Sequence, residues 1–296
     1  MSDVTSRYDQ AVPAGGTPVP AIPPGTGVTG YAHVALASGE SGTALAGLRQ
    51  RVPLRVLFPL PAAGDPLTAA LCSVSGGVVG GDRLSLDLAV GAGAAGLFVA
   101  QAAEKVYRST GADSHIDVRL SVGPGGWMEV LPQETILFDG ARLCRRTVAD
   151  VAPGGTLMAG EILVFGRIAR GERMRTGLIS DSWRIARDGR LAWYDALRLD
   201  GDIARHLDAP AGFGGAHGAA TLLMVVDDPR RLLPVLRSCP CPPAVKFGAS
   251  IVNGMLIGRW LGTDGMTLRR SFATAWSTLR GAAGGWPRSL PRLWHI

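Results

Sequence analysis

The sequence predicts a mainly β fold, a β-helix-like stack of strands and hairpins with about two α-helices in its last third. Three observations carry that expectation. A strand, Gly-rich turn, strand pattern recurs: Leu88-x-Val90-Gly91-Ala92-Gly93 runs on to Gln101, and Leu120-x-Val122-Gly123-Pro124-Gly125 runs on to Gln133, offset by 32 residues at each matched position. A looser copy, Val151-Ala152-Pro153-Gly154-Gly155 leading into Glu161–Gly166, follows about 29 residues later. A fixed period of this size marks units that bury their apolar faces only by stacking. Apolar residues also alternate at period two, as Leu84, Leu86, Leu88 and Val90 do against Ser85, Asp87 and Ala89, the signature of a half-buried strand. Finally, 41 Gly and 20 Pro punctuate the chain every 8–12 residues, the spacing of turns in an all-β chain.

The elements follow in order. Residues 1–29, rich in Pro, Gly, Thr and Ala, lack aliphatic periodicity and read as a disordered tail, leaving 30–296 as a single β-rich domain. Ile116, Val118, Leu120 and Val122 repeat the alternation of the preceding copy. Arg187-Asp188-Gly189-Arg190 is a hairpin turn between two short apolar runs. Asp228 and Pro229 are a cap and first residue for a helix that Pro234 is expected to end or kink. Val245 to Leu261 reads as two strands about Asn253-Gly254. A last helix, from about Asp264 to Arg280, gathers Leu268, Phe272, Ala275, Trp276 and Leu279 on one face; that face suits packing on the stack better than partner docking.

Composition excludes several classes. The net charge of +6 comes from 28 Arg and two Lys, Lys105 and Lys246, scattered with no basic stripe, which argues against nucleic-acid binding. A basic surface still favours an acidic protein partner. Four cysteines, unevenly placed, do not make a disulfide framework and suit a reducing compartment. The early Asp3 and Asp9 argue against a signal peptide, and the longest apolar run, Ala219–Val226, is far short of the ~20 residues that span a bilayer. The expectation is a soluble, cytoplasmic protein that engages no membrane.

Catalytic constellations are wanting. Gly76-Gly77-Val78-Val79-Gly80-Gly81 leads into Asp82-Arg83 and a strand, with no Gly-Lys-Ser/Thr, so it reads as a tight turn and no phosphate loop. Glu134 and Asp139 are the candidates for an acid–base pair in a carbohydrate-active β-helix enzyme, the rival reading. Their spacing of five along a continuous strand would put them on opposite faces, where they cap or bridge turns instead, although a turn between them would rescue the pairing. Glu104-Lys105-Val106-Tyr107-Arg108 is a solvated ion-pair surface or a polar wall, facing a partner or lining a passage. The five histidines show no ligand spacing, and Cys239-Pro240-Cys241 supplies two thiols where a closed site needs four ligands.

Several long motifs resemble the UreD/UreH family of urease accessory proteins. They are Gly76–Leu84, then Ala102-Ala103-Glu104-Lys105-Val106-Tyr107-Arg108-Ser109, then Leu131–Ala141, flanked by Pro53–Val56, Glu161-Ile162, Phe165-Gly166-Arg167, Gly171-Glu172 and Leu290–Trp294. The resemblance spans about Gly30 to the C-terminus. It implies a non-catalytic nickel-insertion chaperone that docks on the urease apoprotein, recruits UreF and, through it, the GTPase UreG, and relays Ni²⁺ without a tightly bound cofactor. Asp82, Arg83, Glu104, Lys105, Tyr107, Arg108, Gln133, Glu134, Asp139 and Glu161 are the expected functional polar set, as partner surface or passage wall. The chain departs from the family pattern at Thr43-Ala44-Leu45, where Thr-Arg-Leu is usual, at Ser73-Val74-Ser75, where His-Pro-Pro is common, and at Glu104, where Thr is usual.

Overall fold

The repeat offsets become hydrogen-bonding register. In the structure, a computed structural model that describes residues 27–295, Leu88 lies beside Leu120 and Ala95 beside Trp127, each 32 residues on. Leu120 lies beside Ala149 and Trp127 beside Thr156, 29 residues on. The expected disordered tail falls outside the described residues up to position 26. From Gly27 the chain is tied down: the Asp82 carboxylate accepts the Val28 N–H at 2.8 Å, and the Val28 carbonyl accepts the Arg83 N–H.

Among the described residues seventeen strands and three α-helices follow. The strands are β1 Thr29–Gly39, β2 Gly42–Arg51, β3 Leu54–Leu57, β4 Leu67–Ser73, β5 Arg83–Val90, β6 Ala95–Ala100, β7 Glu104–Val106, β8 Ser114–Val122, β9 Trp127–Leu131, β10 Glu134–Leu137, β11 Arg142–Val151 and β12 Thr156–Phe165. Then come β13 Thr176–Arg187, β14 Arg190–Asp202, α1 Ile203–Asp208, β15 Gly218–Val225, α2 Pro229–Arg237, β16 Val245–Val252, β17 Met255–Gly262 and α3 Gly265–Gly284. One sheet runs β14-β13-β11-β8-β5-β1-β2 and the other β16-β17-β15-β12-β9-β6-β4-β3, with β10 beside β12 and β7 beside β10. Each repeat contributes one strand to each sheet, joined by its Gly turn, so equivalent strands pair in parallel with those of the next repeat.

Two apolar layers hold this together. Between the sheets, Leu88, Leu120 and Ala149 meet Phe98, Met128 and Leu157. On the far face of the second sheet, Leu97, Val99, Leu131 and Leu222 are covered by Phe272, Trp276 and Leu279 of α3 and by Trp294. The second sheet is therefore buried on both faces. That explains why its strands read as continuous apolar runs, Ala219–Val225 above all, while the first sheet alternates. The face predicted for α3 is the packing face, fully buried at all five positions.

The hairpin at 187–190 and the Asn253-Gly254 turn form as expected, with Asp188, Gly189, Asn253 and Gly254 all at positive φ, the geometry of tight two-residue hairpins. One expectation needs correction. Pro234 neither ends nor visibly interrupts α2, which runs to Arg237: Leu232 and Leu236 are fully buried beneath it, and the helix resumes bonding when the Pro234 carbonyl accepts the Ser238 N–H. A third helix, α1, also stands where no periodic stretch announced one. The Asp202 carboxylate caps it by accepting the Arg205 N–H at 3.1 Å, and Ile203 and Leu207 anchor it in the inter-sheet core.

Candidate functional site

Where β6 and β9 end, at Gln101-Ala102-Ala103 and Pro132-Gln133, the strands of the second sheet bend before resuming as β7 and β10. A cavity of about 290 Å³ lies at this level, lined by residues of both sheets, with the exposed Gly76, Ala102 and Lys105 at its mouth. Its effect on the strands is direct. Leu86 and Val118 point inward but keep accessible surface, whereas Leu88 and Leu120, the next inward positions, keep none. The two Gln residues that close the sequence repeats both line it.

Its inner wall is charged. Arg145 of β11 donates from Nε to Asp181 of β13 (2.9 Å), from Nη1 to Thr135 of β10 (3.2 Å) and from Nη2 to Glu161 of β12 (2.6 Å). Trp183 Nε1–H donates to the same Glu161 oxygen at 3.1 Å, and Asp181 Oδ1 is buried with no protein partner. One guanidinium thus faces two carboxylates. Burial, and next the charge of Asp181, push Glu161 up to about 8 against the pull of Arg145. Burial works to lower Arg145, but Asp181 and Glu161 outweigh it and hold the guanidinium firmly charged.

At the mouth, Glu104 and Lys105 line the cavity together, although they are neighbours on the three-residue strand β7; Val106 alone of that strand turns into the core. Glu104 is pushed up to about 7 by burial and then by Asp82, with Lys105 pulling it back. Asp82 is itself buried, accepting the Val28 and Val79 N–H groups at 2.8 and 2.9 Å. Between the unfolded carboxylate range and about pH 7, folded Glu104 holds a proton that the unfolded chain has released. That contribution is complete below the unfolded value and is lost as pH rises through about 7. Glu104→Gln is expected to flatten the fall by on the order of 1–3 kcal/mol, read as urea-unfolding midpoints between about pH 5 and pH 8. An unchanged pH slope would refute the assignment.

The rest of the expected polar set divides. Gly77 packs so tightly on Tyr107 and the Lys105 backbone that a Cβ there would sit 2.5 Å from the ring, so the glycine cluster is a close-packed turn. The Tyr107 hydroxyl donates to the Gly76 carbonyl at 3.2 Å, and its ring meets Phe138 edge-on. Asp139 pairs with Arg108 at 2.9 Å and accepts the Arg175 and Thr176 N–H groups. Burial tends to raise that carboxyl, but the two backbone donors and Arg108 hold it low. Glu134 pairs instead with Arg269 at 2.7 Å, beneath the C-terminal segment, where Gln133 Nε2–H donates to the Leu293 carbonyl. The continuous-strand argument for Glu134 and Asp139 is corrected: β10 stops at Leu137, a turn closed by the Ala141 N–H to the Phe138 carbonyl follows, and each carboxylate has its own arginine. Arg83 lies on the outer face of the first sheet, away from the cavity. Cys239 and Cys241 donate to different carbonyls, Val235 and Val245, and among the described residues no three His, Cys, Asp or Glu side chains gather at metal-binding range.

Arg145, Thr135, Asp181 and Trp183 were not singled out from sequence. Their signal was phase: Arg145 shares the inward register of Leu143 and Ala149, and Asp181 that of Ile179 and Ile185. A charge in phase with the core demands a buried partner.

Comparison with known proteins agrees with the resemblance in the motifs. Residues 28–295 match the family model described as UreD urease accessory protein. The chain is 42% identical over 278 residues to a urease accessory protein UreD of Magnetococcus marinus, covering 92% of this chain and 96% of that one. It is 42% identical over 271 residues to the UreD of Methylobacterium sp. strain 4-46, covering 89% and 94%, and 42% identical over 265 residues to a UreD 2 of Methylorubrum populi, covering 87% and 86%.

Proposed function

Because the chain belongs to the UreD urease accessory protein family, we propose that it serves urease maturation as a non-catalytic scaffold in the cytoplasm, docking on the urease apoprotein and relaying Ni²⁺ received from UreG through UreF. The observation that carries this reading is the cavity: a water-accessible space inside a β-stack, with Glu104 and Lys105 at its mouth and Arg145 in its wall, held from behind by Glu161 and Asp181. Nickel is cargo here, and cargo must leave. Passage favours a succession of weak oxygen contacts over a rigid cage, because binding strong enough to hold an ion also slows its release. Gln101, Gln133, Thr135 and Glu104 supply side-chain oxygens to the lining, the weak contacts such a passage would use.

The mouth also suits docking. Val52, Val74 and Val79, in the turns around it, are 47%, 59% and 44% exposed, an apolar rim that a partner would cover while excluding bulk water. Cells expressing a urease operon with and without this chain test the reading. With it, the enzyme is expected to gain nickel and activity, and the chain to co-purify with urease subunits and UreF. Equal nickel content in both strains would defeat the proposal.

A further inference from the structure

Positive charge is spread unevenly along the chain. From Pro229 to Ile296 there are ten Arg and Lys and one acidic side chain, Asp264, whereas the other 228 residues hold 20 basic side chains against 23 acidic ones. The surplus behind the net charge of +6 therefore lies in the part that forms α2, β16, β17, α3 and the segment after α3. The fold gathers much of it on one surface, because α2 and the last segment both pack on α3. Arg231 of α2 donates from Nη1 to the Ala282 carbonyl at 3.0 Å, Arg288 lies against the neighbouring Gly281, and Trp294 stacks on Phe272. Arg230, Arg231, Arg237, Arg270, Arg288 and Arg292 are all exposed there, and none enters an ion pair among the described residues. Beneath them, Arg280 binds Glu129 and Asp65, and Arg269 binds Glu134. The exposed carboxylates of these helices and the turns that lead into them are three. Asp227 pairs with Arg187, while Asp228 and Asp264 cap α2 and α3 by accepting the Arg231 and Thr267 N–H groups. Setting all three against the six arginines still leaves twice as many cations as anions.

Helix stability does not account for them. Neither α2 nor α3 has an acidic residue in its first turn, and Arg230 and Arg231 stand in the first turn of α2, where the positive end of the helix dipole disfavours a cation. An apolar anchor stands at the edge of the same surface. In the chain between β3 and β4, Leu60 is 98% exposed, and Leu57 and Phe58 are exposed beside it. This loop is fastened to the last segment: a Cβ on Gly64 would lie 3.2 Å from the Pro287 ring, and Arg280 joins Asp65 to the Pro287 and Ser289 carbonyls. Pro59 and Pro61 flank Leu60 and narrow the conformations open to the loop, so burying Leu60 costs little ordering entropy. The length of β3 separates this anchor from Val52 and the rim of the cavity.

We infer that α2, α3, the last segment and the Leu60 loop form a second docking surface, which takes an acidic face of a folded protein partner with an apolar pocket for Leu60. An apolar anchor bordered by charge is the arrangement of a binding hot spot, and the planar fork of arginine grips carboxylates in pairs. The helices favour a protein over a lipid surface. Met266 is the one exposed large hydrophobic of α2 and α3 among the described residues, whereas a helix lying in a membrane surface presents a whole apolar row. After Arg270 the outward row of α3 continues with Thr274 and Ser277, short side chains on which a rigid surface can rest. The inference rests on the proposed role beside urease for the choice of probes.

The test is the triple variant Arg230→Glu, Arg270→Glu, Arg288→Glu, with the corresponding triple Gln variant, the single variant Leu60→Ser, and thermal melts of all three as folding controls. Binding to urease apoprotein and to UreF is measured by biolayer interferometry from about 50 mM to about 300 mM salt, a range over which the screening length falls by more than half. The wild type should bind one of the two proteins more weakly as salt rises. The Glu variant should bind that protein at least about tenfold more weakly at low salt and lose most of the salt dependence, with the Gln variant in between. Leu60→Ser should weaken the same complex several-fold and leave its salt slope unchanged, as loss of an uncharged anchor would. Wild-type affinity and salt slope in a folded Glu variant would overturn the inference and leave the maturation role standing. Absence of wild-type binding to both proteins would instead sink the docking reading and this surface together. Retention on phosphatidylglycerol vesicles or on duplex DNA in preference to either protein, lost in the Glu variant, would also overturn the inference.

Discussion

Glu129→Ala is expected to cost about 5 kcal/mol, a large part of the stability of an ordinary domain, and to leave the chain insoluble or partly unfolded near body temperature. The reason is a fully buried cluster that pins α3 to the second sheet. Glu129 of β9 accepts from Trp127 Nε1–H and Trp276 Nε1–H, each at 3.0 Å, and from Arg280 at 3.0–3.2 Å. Arg280, with no exposed surface, also reaches Asp65 at 2.9 Å and the Pro287 and Ser289 carbonyls. Truncating Glu129 strands a buried guanidinium whose remaining counter-ion is Asp65, and orphans two indole donors, each costing on the order of 1–3 kcal/mol. Glu129→Gln keeps an acceptor for the indoles and should lose less. Urea or thermal unfolding decides the matter: a melting temperature within a few degrees of wild type for Glu129→Ala would show that the cluster contributes little to holding the helix.

That cluster also shows what the sequence conveys and what it withholds. Register was legible, because a 32-residue offset in glycine and valine positions is the pairing of Leu88 with Leu120 and of Ala95 with Trp127. The helical stripe of α3 was legible as well, yet Arg280 continues it four residues after Trp276 and was set aside as a helix end. Periodicity reports apolar residues; a charge in the same phase is noise to it until a partner 151 residues away is known. The cavity was hidden for a related reason. Gln101 and Gln133 announced where the repeats end, but that both face one cavity between the sheets is a property of the stacked assembly, absent from any one repeat. Asp139 shows the limit of strand arithmetic: once Phe138–Ala141 turns, alternation says nothing about where a carboxylate points, and its partners are Arg108 and the backbone at Arg175 and Thr176.

Val118→Trp is expected to abolish nickel-dependent urease activation, by at least about tenfold, while leaving the chain folded. Val118 is an inward residue of the first sheet that lines the cavity and keeps accessible surface there. An indole there finds room in the cavity, so overpacking should cost no more than about 1–3 kcal/mol. The substitution removes no charge and does not touch the apolar rim, so docking should persist. It thereby separates a passage from a platform. A conduit stops working when its bore is filled, however well its outer surfaces bind, and urease should then co-purify with the variant yet carry little metal. A scaffold that acts by surface contact alone would be indifferent to an internal plug. If Val118→Trp loads nickel at the wild-type rate while folded and bound, the ion does not travel between these sheets, and Glu104 and Glu161 would have to be read as structural carboxylates.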